Sequence, residues 1–518
     1  MATGKYTLLV DWNADGDFAD SNEDITGDTL SVSWERGRDY ASQLSGRSIA
    51  GVLTAILDND DGKYSPSNSS SAPDGLIKPG RPVQLQAGSG SFPYAFPLVF
   101  ADKPIWTGRL ERIRPDPSST DRKTATLTAF GVLGFLNAYQ PSIATQEDKR
   151  TDEVIGTILD DVGWPSGDRD LATGQTTLTR FWVAGKSTID ALRIPEETEF
   201  GFILETRDGK IGFESRHTRL ASPYTTSQAT FSDASGAANT YVRIAQDDPL
   251  DTIVNHFEAK VGSIFTTASI AVLWTLPETG ASSPLLAPGE AKTFEAEFPT
   301  ENSANTAREV DVWTTPAATT DVLGNSASDG TGTNLTSSIG IAATKTAERM
   351  VVTLTNNHAT SAAYVTKLQA RGTAVSASDP VTMRAIDSTS QTTFGERRFK
   401  AGTRFLPSTT EAQSWCDYQL AIYSSPVEII SLSVEANGSD GNLYEALTRD
   451  ISDRVTVVAT GDSGLGLSAD FFVEHESHTV EPGPVHRLMW QLSPASGGYS
   501  QFWVLDKSKL GQTTVPAY

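Results

Sequence analysis

The sequence predicts a β-rich α+β protein with a few short helices, divided among several domains. Three observations predict it. Apolar residues alternate at Leu30, Val32 and Trp34, and again at Leu53, Ala55 and Leu57, the period of half-buried antiparallel strands. After the second run, Asp58-Asn59-Asp60-Asp61-Gly62 forces a reversal, because Asp and Asn side chains bond their own backbone and glycine tolerates positive φ. The 42 Gly and 26 Pro residues favour turn-rich β architecture.

At 518 residues the chain exceeds what one core can hold, so three or four domains are expected. Hydrophobic residues at 38% and charged residues at 20% describe a soluble globular protein. No run reaches membrane-spanning length, and the opening MATGKYTLLVDW lacks the basic region and long apolar core of a signal peptide, so no membrane insertion is predicted. The single cysteine, Cys416, excludes an intrachain disulfide and a Cys-based zinc site, and reads as a buried helix residue. A net charge of -23, spread along the chain, repels a phosphate backbone and argues against sequence-specific nucleic-acid binding.

Taken in order, residues 6–12 form a strand that runs into Asp11-Trp12-Asn13-Ala14-Asp15-Gly16-Asp17. This matches the D-x-N-x-D-G opening of a calcium loop, where oxygen ligands converge and glycine makes the sharp turn. The twelfth loop position holds Asn22 in place of the usual acidic ligand, and Glu23 comes one place late. The candidate Ca²⁺ ligands are Asp11, Asn13, Asp15, Asp17 and Glu23, and a plain Asp/Asn/Gly hairpin turn uses the same chemistry. Tyr64-Ser65-Pro66 opens a polar loop, and Lys78-Pro79-Gly80-Arg81-Pro82 fixes an extended entry into a third strand. Ser91 to Phe96 is an aromatic hairpin, and Ile105 to Ile113 and Thr124 to Phe130 are further strands.

From Arg150 the period becomes helical. Thr151 is placed to cap a helix with an apolar face of Val154, Ile155, Ile158, Leu159 and Val162, stopped by Gly163 and Pro165. A second, shorter helix runs from Ile189 to Ile194 and ends at Pro195; a hairpin follows, turning at Asp208-Gly209. Residues 263–378 are rich in Thr, Ala, Ser, Asn and Gly, with five short strands that read as an inserted, immunoglobulin-like β-sandwich. Ser408-Thr409-Thr410-Glu411 is a capping box before a helix burying Ala412, Trp415, Cys416, Leu420 and Tyr423. The last segment holds three or four strands. The resulting bounds are 1–146, 147–245, 246–262 plus 379–445, the insert 263–378, and 446–518.

Four pieces stand in order near the start: DWNADGDF at Asp11 to Phe18, WERGRD at Trp34 to Asp39, LDNDDGKYSPSN at Leu57 to Asn68 and PGRPV at Pro79 to Val83. As a set they resemble the baseplate-hub or tail-tip (minor tail) proteins of long-tailed bacteriophages and archaeal tailed viruses. The helix, acidic segment and DGKIGFESR hairpin resemble their second domain. DRVTV, DFFVE, HTVEPG and WQLSPA, between Asp453 and Ala495, resemble their last. The resemblance implies two tail-tube-like β-barrels per chain and a homotrimer that adapts a sixfold tube to a threefold tip. It implies contacts with the distal tail protein, tail tube and tape-measure protein on one side and tip or fibre proteins on the other. DNA would pass without specific binding. The implied location is the virion tail tip, after synthesis in the host cytoplasm. An alternative is a receptor- or carbohydrate-binding tail protein acting in host attachment through the insert.

No catalytic residue is assigned. Gly461-Asp462-Ser463-Gly464 echoes a protease nucleophile segment, but no histidine context for a triad accompanies it, and it reads as a hairpin loop. His475-Glu476-Ser477-His478 is not the zinc-protease spacing, and His475, His478 and His486 read as surface or interface residues. No cofactor fingerprint is present, so none is expected beyond a structural Ca²⁺.

Overall fold

The first six strands of the chain send their alternate side chains to one core. The computed structural model describes residues 4–38, 47–69, 73, 75–89, 102–118, 121–183, 185–247, 250–262, 264–266, 269–277, 282–298, 307–377, 379–401, 405–406, 408–426, 429–461, 464–483, 485–495, 502–503 and 515–516. The aromatic hairpin Ser91 to Phe96, and Asp462 and Ser463 of the Gly/Ser loop, lie outside them.

The first strands are β1 (Gly4–Val10), β2 (Thr29–Arg38), β3 (Ser48–Asp58), β4 (Pro82–Ser89), β5 (Lys103–Asp116) and β6 (Thr124–Phe130). They lie side by side in the order β1-β4-β5-β6-β3-β2, all antiparallel. The alternation read in β2 and β3 puts Val32, Trp34, Leu53, Ala55 and Leu57 inside, with Leu8, Val83, Trp106 and Leu127 from the other strands. A sheet whose six strands share one core has to curl around it. Each fully buried large side chain there contributes about 1.5–3 kcal/mol.

A small α+β region follows: α1 (Val132–Leu136), β7 (Gln146–Arg150), α2 (Thr151–Asp161), β8 (Arg169–Leu171), β9 (Thr177–Phe181), α3 (Thr188–Glu199), β10 (Phe202–Glu205) and β11 (Ile211–Glu214). Val154, Ile155, Ile158 and Leu159 of the predicted α2 face are buried and Val162 is a half-buried C-cap, but the N-cap is Arg150, whose N–H donates to Glu153 Oε2 at 2.9 Å. Thr151 is the first helical residue, and its hydroxyl donates instead to Glu199 Oε2 at 2.9 Å. The second helix does not stop at Pro195. It continues to Glu199, because buried Glu196 and Glu199 are anchored by Arg193 and by the Gln175 and Thr176 amides, which offsets the hydrogen bond that proline cannot make. The Asp208-Gly209 hairpin forms between β10 and β11 as read, with Gly209 at φ 82°.

Next come β12 (Ala229–Ser232), β13 (Arg243–Asp247) and β14 (His256–Val261), then the insert strands β15 (Ile264–Thr266), β16 (Ala271–Leu276), β17 (Leu285–Leu286), β18 (Ala291–Glu297), β19 (Ala307–Thr314), β20 (Val322–Asn325), β21 (Ile339–Lys345), β22 (Arg349–Asn356) and β23 (Ala363–Ala377). Long β23 pairs with β15, β16, β17, β19 and β20, and a second sheet runs β18-β22-β21, with one apolar core between them. After it, β24 (Val381–Ile386), α4 (Ser388–Phe394), β25 (Arg398–Ala401) and α5 (Thr409–Tyr423) return to the body. Strands β14 and β24 pair with Val261 opposite Val381, so the insert grows from the mouth of one hairpin. Helix α5 covers that sheet with Ala412, Trp415 and Cys416 buried as read, whereas Leu420 and Tyr423 are half-buried.

The chain closes with β26 (Ile429–Glu435), α6 (Asp440–Thr448), β27 (Arg454–Ala459), β28 (Leu467–Glu481) and β29 (Val485–Pro494). These strands, with β13 and β12 from the middle of the chain, form a second six-stranded unit with its own core, including Phe231, Leu432, Val457, Phe471 and Trp490. Sheet membership therefore crosses the sequence bounds, since β12 lies within 147–245 and β13 straddles its end, and they pair with β27 and β26. Strand β28 pairs with β27 through Leu467–Phe472 and with β2 through His475–Val480, which fuses both units into one 12-stranded sheet. No helix among the described residues is long and apolar enough to cross a membrane.

Candidate functional site

The W-x-R-G-R end of β2 lies against β28, and its polar residues are buried there. Arg36 Nε donates to Glu476 Oε1 at 2.6 Å, Nη1 to the Glu205 carbonyl at 3.2 Å, and Nη2 to Asp450. Arg207 Nη2 reaches the other Glu476 oxygen at 3.2 Å. Burial alone would raise the Glu476 pKa, but Arg36 and Arg207 hold it well below the usual carboxylate range. One step along, Glu474 pairs with Arg38 and receives two bonds from Arg219, at 2.7 and 2.9 Å. The Phe202 ring lies 3.7 Å from the Arg38 guanidinium and 5.3 Å from that of Arg219. Gly37 sits between the arginines at φ 127°, and a Cβ there would lie 2.5 Å from the Glu474 carbonyl oxygen. The first six-stranded unit (β2), the α+β region (Glu205, Arg207, Arg219) and the second unit (Asp450, Glu474, Glu476) meet at this joint.

Glu205 is the second fixture of the joint. Its carboxylate accepts from Gly51 N–H at 2.8 Å and from Leu133 N–H, in the first turn of α1, at 2.6 Å. Burial pushes its pKa up to about 7, against the pull of those two amides and of Arg36. Gly131 is required beside it, because a Cβ there would fall 2.0 Å from Glu205 Oε2.

The histidines depart from the sequence reading. His478 and His486 are buried, and His475 is half-buried. The His478 ring stacks on Trp34 at 4.5 Å, its Nδ1 lies 2.9 Å from His486 Nε2, and His486 Nδ1 lies 2.7 Å from the Tyr6 hydroxyl. Assigned from this network with both rings neutral, protons run one way: Tyr6 to His486, His486 to His478, and His478 Nε2–H toward Glu476 Oε2 at 3.5 Å. Burial lowers both histidine pKa values, that of His486 well below its ordinary value with His478 adding to the effect. They are buried because Tyr6 and Trp34 of the first unit cover the β28–β29 hairpin, contacts more than 440 residues apart in sequence.

The other motifs are also structural. In the 58–68 turn Asn59 Oδ1 accepts from Tyr64 N–H at 2.8 Å and Asn68 Nδ2 donates to the Gly62 carbonyl at 3.0 Å. Tyr64 is fully buried, with its hydroxyl on Asp28 at 2.6 Å. Glu411 of the capping box donates its backbone N–H to Ser408 Oγ at 3.2 Å, but its carboxylate turns to Thr176 and Arg216, at 2.6 and 2.7 Å.

In the acidic loop, Asp11 accepts from Ala14 N–H at 2.5 Å and Gly16 N–H at 3.1 Å. Asn13 Nδ2 bridges Asp15 and Asp20 at 3.0 and 2.7 Å. Asp17 turns outward to Ala19 N–H. Glu23 is drawn in, 1% exposed, with Oε2 on Asp20 N–H at 3.0 Å. Asp20 is a residue the sequence reading left out. Among the described residues no three His, Cys, Asp or Glu side chains are grouped so that they could hold a metal ion.

No family model matches the sequence, and no curated protein matches it. Solved structures do. A tail protein from Neisseria meningitidis MC58 superposes with a TM-score of 0.50 at 9% identity, covering 95% of this chain and 98% of that one. The 43 kDa tail protein of prophage MuSo2 from Shewanella oneidensis gives 0.47 at 10% identity, covering 95% and 98%. An E. coli type VI secretion component described as structurally similar to the phage T4 tail proteins gp27 and gp5 gives 0.36 at 8%, covering 94% and 77%. The chain thus has, over nearly its whole length, the fold of a tail protein.

Proposed function

We propose that this chain is a structural subunit of a tail tip or baseplate, forming a trimeric hub. The doubled sheet carries the reading: two six-stranded units, each with its own core, joined edge to edge through β2 and β28. Three chains would present six comparable units, so a threefold ring could face a sixfold tube. The joint fixes the angle between units, since its arginine–carboxylate bonds are directional and sealed from water. The role is assembly rather than catalysis, with the distal tail protein, tail tube and tape-measure protein on one face and tip or fibre proteins on the other. A net charge of -23 would keep passing DNA from adhering to a channel wall. Light scattering with negative-stain class averages tests this: threefold rings of about three 55.4 kDa chains support it. A particle that stays monomeric alone and with tube protein added would overturn it.

A further inference from the structure

We infer that the Tyr6–His486–His478 relay is an acid-sensitive latch: one added proton releases the Tyr6 hydroxyl and loosens the seam between β1 and the β28–β29 hairpin. The relay has three contacts: Tyr6 Oη to His486 Nδ1 at 2.7 Å, His486 Nε2 to His478 Nδ1 at 2.9 Å, and His478 Nε2 to Glu476 Oε2 at 3.5 Å. With both rings neutral, each contact holds one hydrogen and every ring nitrogen is engaged. A further proton therefore has to displace a hydrogen from one end. At the Glu476 end none can leave, because the carboxylate, held by Arg36 and Arg207, only accepts. At the other end Tyr6 can donate or accept. If His486 takes the proton, its Nδ1–H points at Tyr6 Oη. If His478 takes it, the hydrogen between the rings comes from His478, His486 carries its own on Nδ1, and Tyr6 Oη is again the acceptor. Either way the Tyr6 hydrogen is turned out of the relay. A second proton is excluded, since two N–H groups would then face each other across 2.9 Å.

The surroundings keep the latch shut at neutral pH. The carboxylate facing the pair is Glu476 of β28, which favours a charged His478, but it is shared by Arg36 of β2 and Arg207 of the β10–β11 hairpin, which oppose one. Asp450, before β27, is paired with the same two arginines. From β2, the Trp34 ring stacks on His478 at 4.5 Å and offers a face that attracts a cation. From the turn before α6, uncharged Asn437 accepts from His486 N–H at 3.2 Å. Burial outweighs the attractions and holds both rings neutral. Tyr6 is where a proton is felt. Strands β1 and β2 stand at opposite ends of the first unit's sheet order, and between them an open groove of about 220 Å³ is lined by Tyr6, Leu8, Thr29, Val32, Val480 and Pro482. A buried O–H without an acceptor is costly, so the released ring swings into the groove, where water takes the bond. Its edge-on contact with His486, 5.5 Å between centroids, is then lost.

The test is hydroxyl-radical labelling of the whole chain between pH 8 and 4, read by mass spectrometry at residue 6. Tyr64 and Trp490, fully buried in the two cores, are the internal controls. The expected result is labelling at residue 6 that rises about threefold or more as pH falls, before either control changes. His478→Gln/His486→Gln has no ring to titrate and should keep the labelling flat. Tyr6→Phe keeps the aromatic ring but has no hydrogen to displace, so it should flatten the response as well, and it serves if the double variant does not fold. His475→Gln, on the opposite face of β28, should respond as the parent does. No rise at residue 6 by pH 4 would overturn the latch. So would a rise that survives Tyr6→Phe or the paired histidine changes, or one that Tyr64 and Trp490 share in step, which would mean acid unfolding of the whole chain.

Discussion

Arg36 answers to a carboxylate on β28, a carboxylate before β27 and a carbonyl on β10, and it is among the largest fully buried side chains. Arg36→Ala would leave Glu476 buried with Arg207 as its remaining arginine. The expected loss is about 3–5 kcal/mol, read from urea denaturation. Replacing Arg36 with Met and Glu476 with Leu together should cost less than the sum of the single changes, because neither member of the pair is then left buried without the other, and Arg207 keeps Asp450 as its carboxylate partner. The histidine pair sets a pH dependence. Its folded pKa values lie below the ordinary 6.5, so its contribution is present above pH 6.5 and is lost as pH falls below it. Glu205 acts in the opposite sense: its pKa is raised to about 7, and its contribution is lost as pH rises from about 4.5 through 7. Thermal midpoints of the parent and of His478→Gln/His486→Gln between pH 5 and 8 should therefore show a shallower acid decline in the variant.

At the scale of elements, β28 matters most, because it is long enough to belong to two six-stranded units. Where it meets β2, Gly37 lets the strands approach at a backbone angle that other residues rarely adopt. Gly37→Ala should lower stability by at least about 2 kcal/mol and lower the thermal midpoint, with no exposed surface to absorb the strain. The 58–68 turn offers a milder test. Tyr64→Phe removes the bond to Asp28 and should cost about 1–1.5 kcal/mol in the same denaturation assay. Local chemistry of this kind was legible beforehand: Asn59 and Gly62 in the turn, the Asp208-Gly209 hairpin, the Ser408 cap and the α2 face all act within a few residues. Helix α6 was not, because Gly441 and Asn442 dilute its pattern, and β20 and β21 escaped notice because Gly, Ala and Asn leave little alternation to read.

For the whole molecule, the insert is a separable core seated on the α+β region. Thr145 Oγ1 donates to the Val310 carbonyl at 2.8 Å, Arg180 pairs with Asp311 at 2.9 Å, and Ala347 and Val375 extend the neighbouring core. Replacing residues 263–378 with a short turn should leave a cooperatively folding body, because β14 and β24 close their own hairpin, but with a lower thermal midpoint where that apolar contact is lost. Calorimetry checks both. The sequence by itself determined the β-rich class, the strands with strict alternation and the sharp turns, since each depends on residues within one strand or turn of one another. Only the tertiary structure decided that β12 and β13 complete the last sheet, that β2 and β28 fuse the two units, and that His478 and His486 are buried. Those outcomes depend on surfaces brought together from opposite ends of the chain, and a polar strand face carries no local mark of whether water or another strand will cover it.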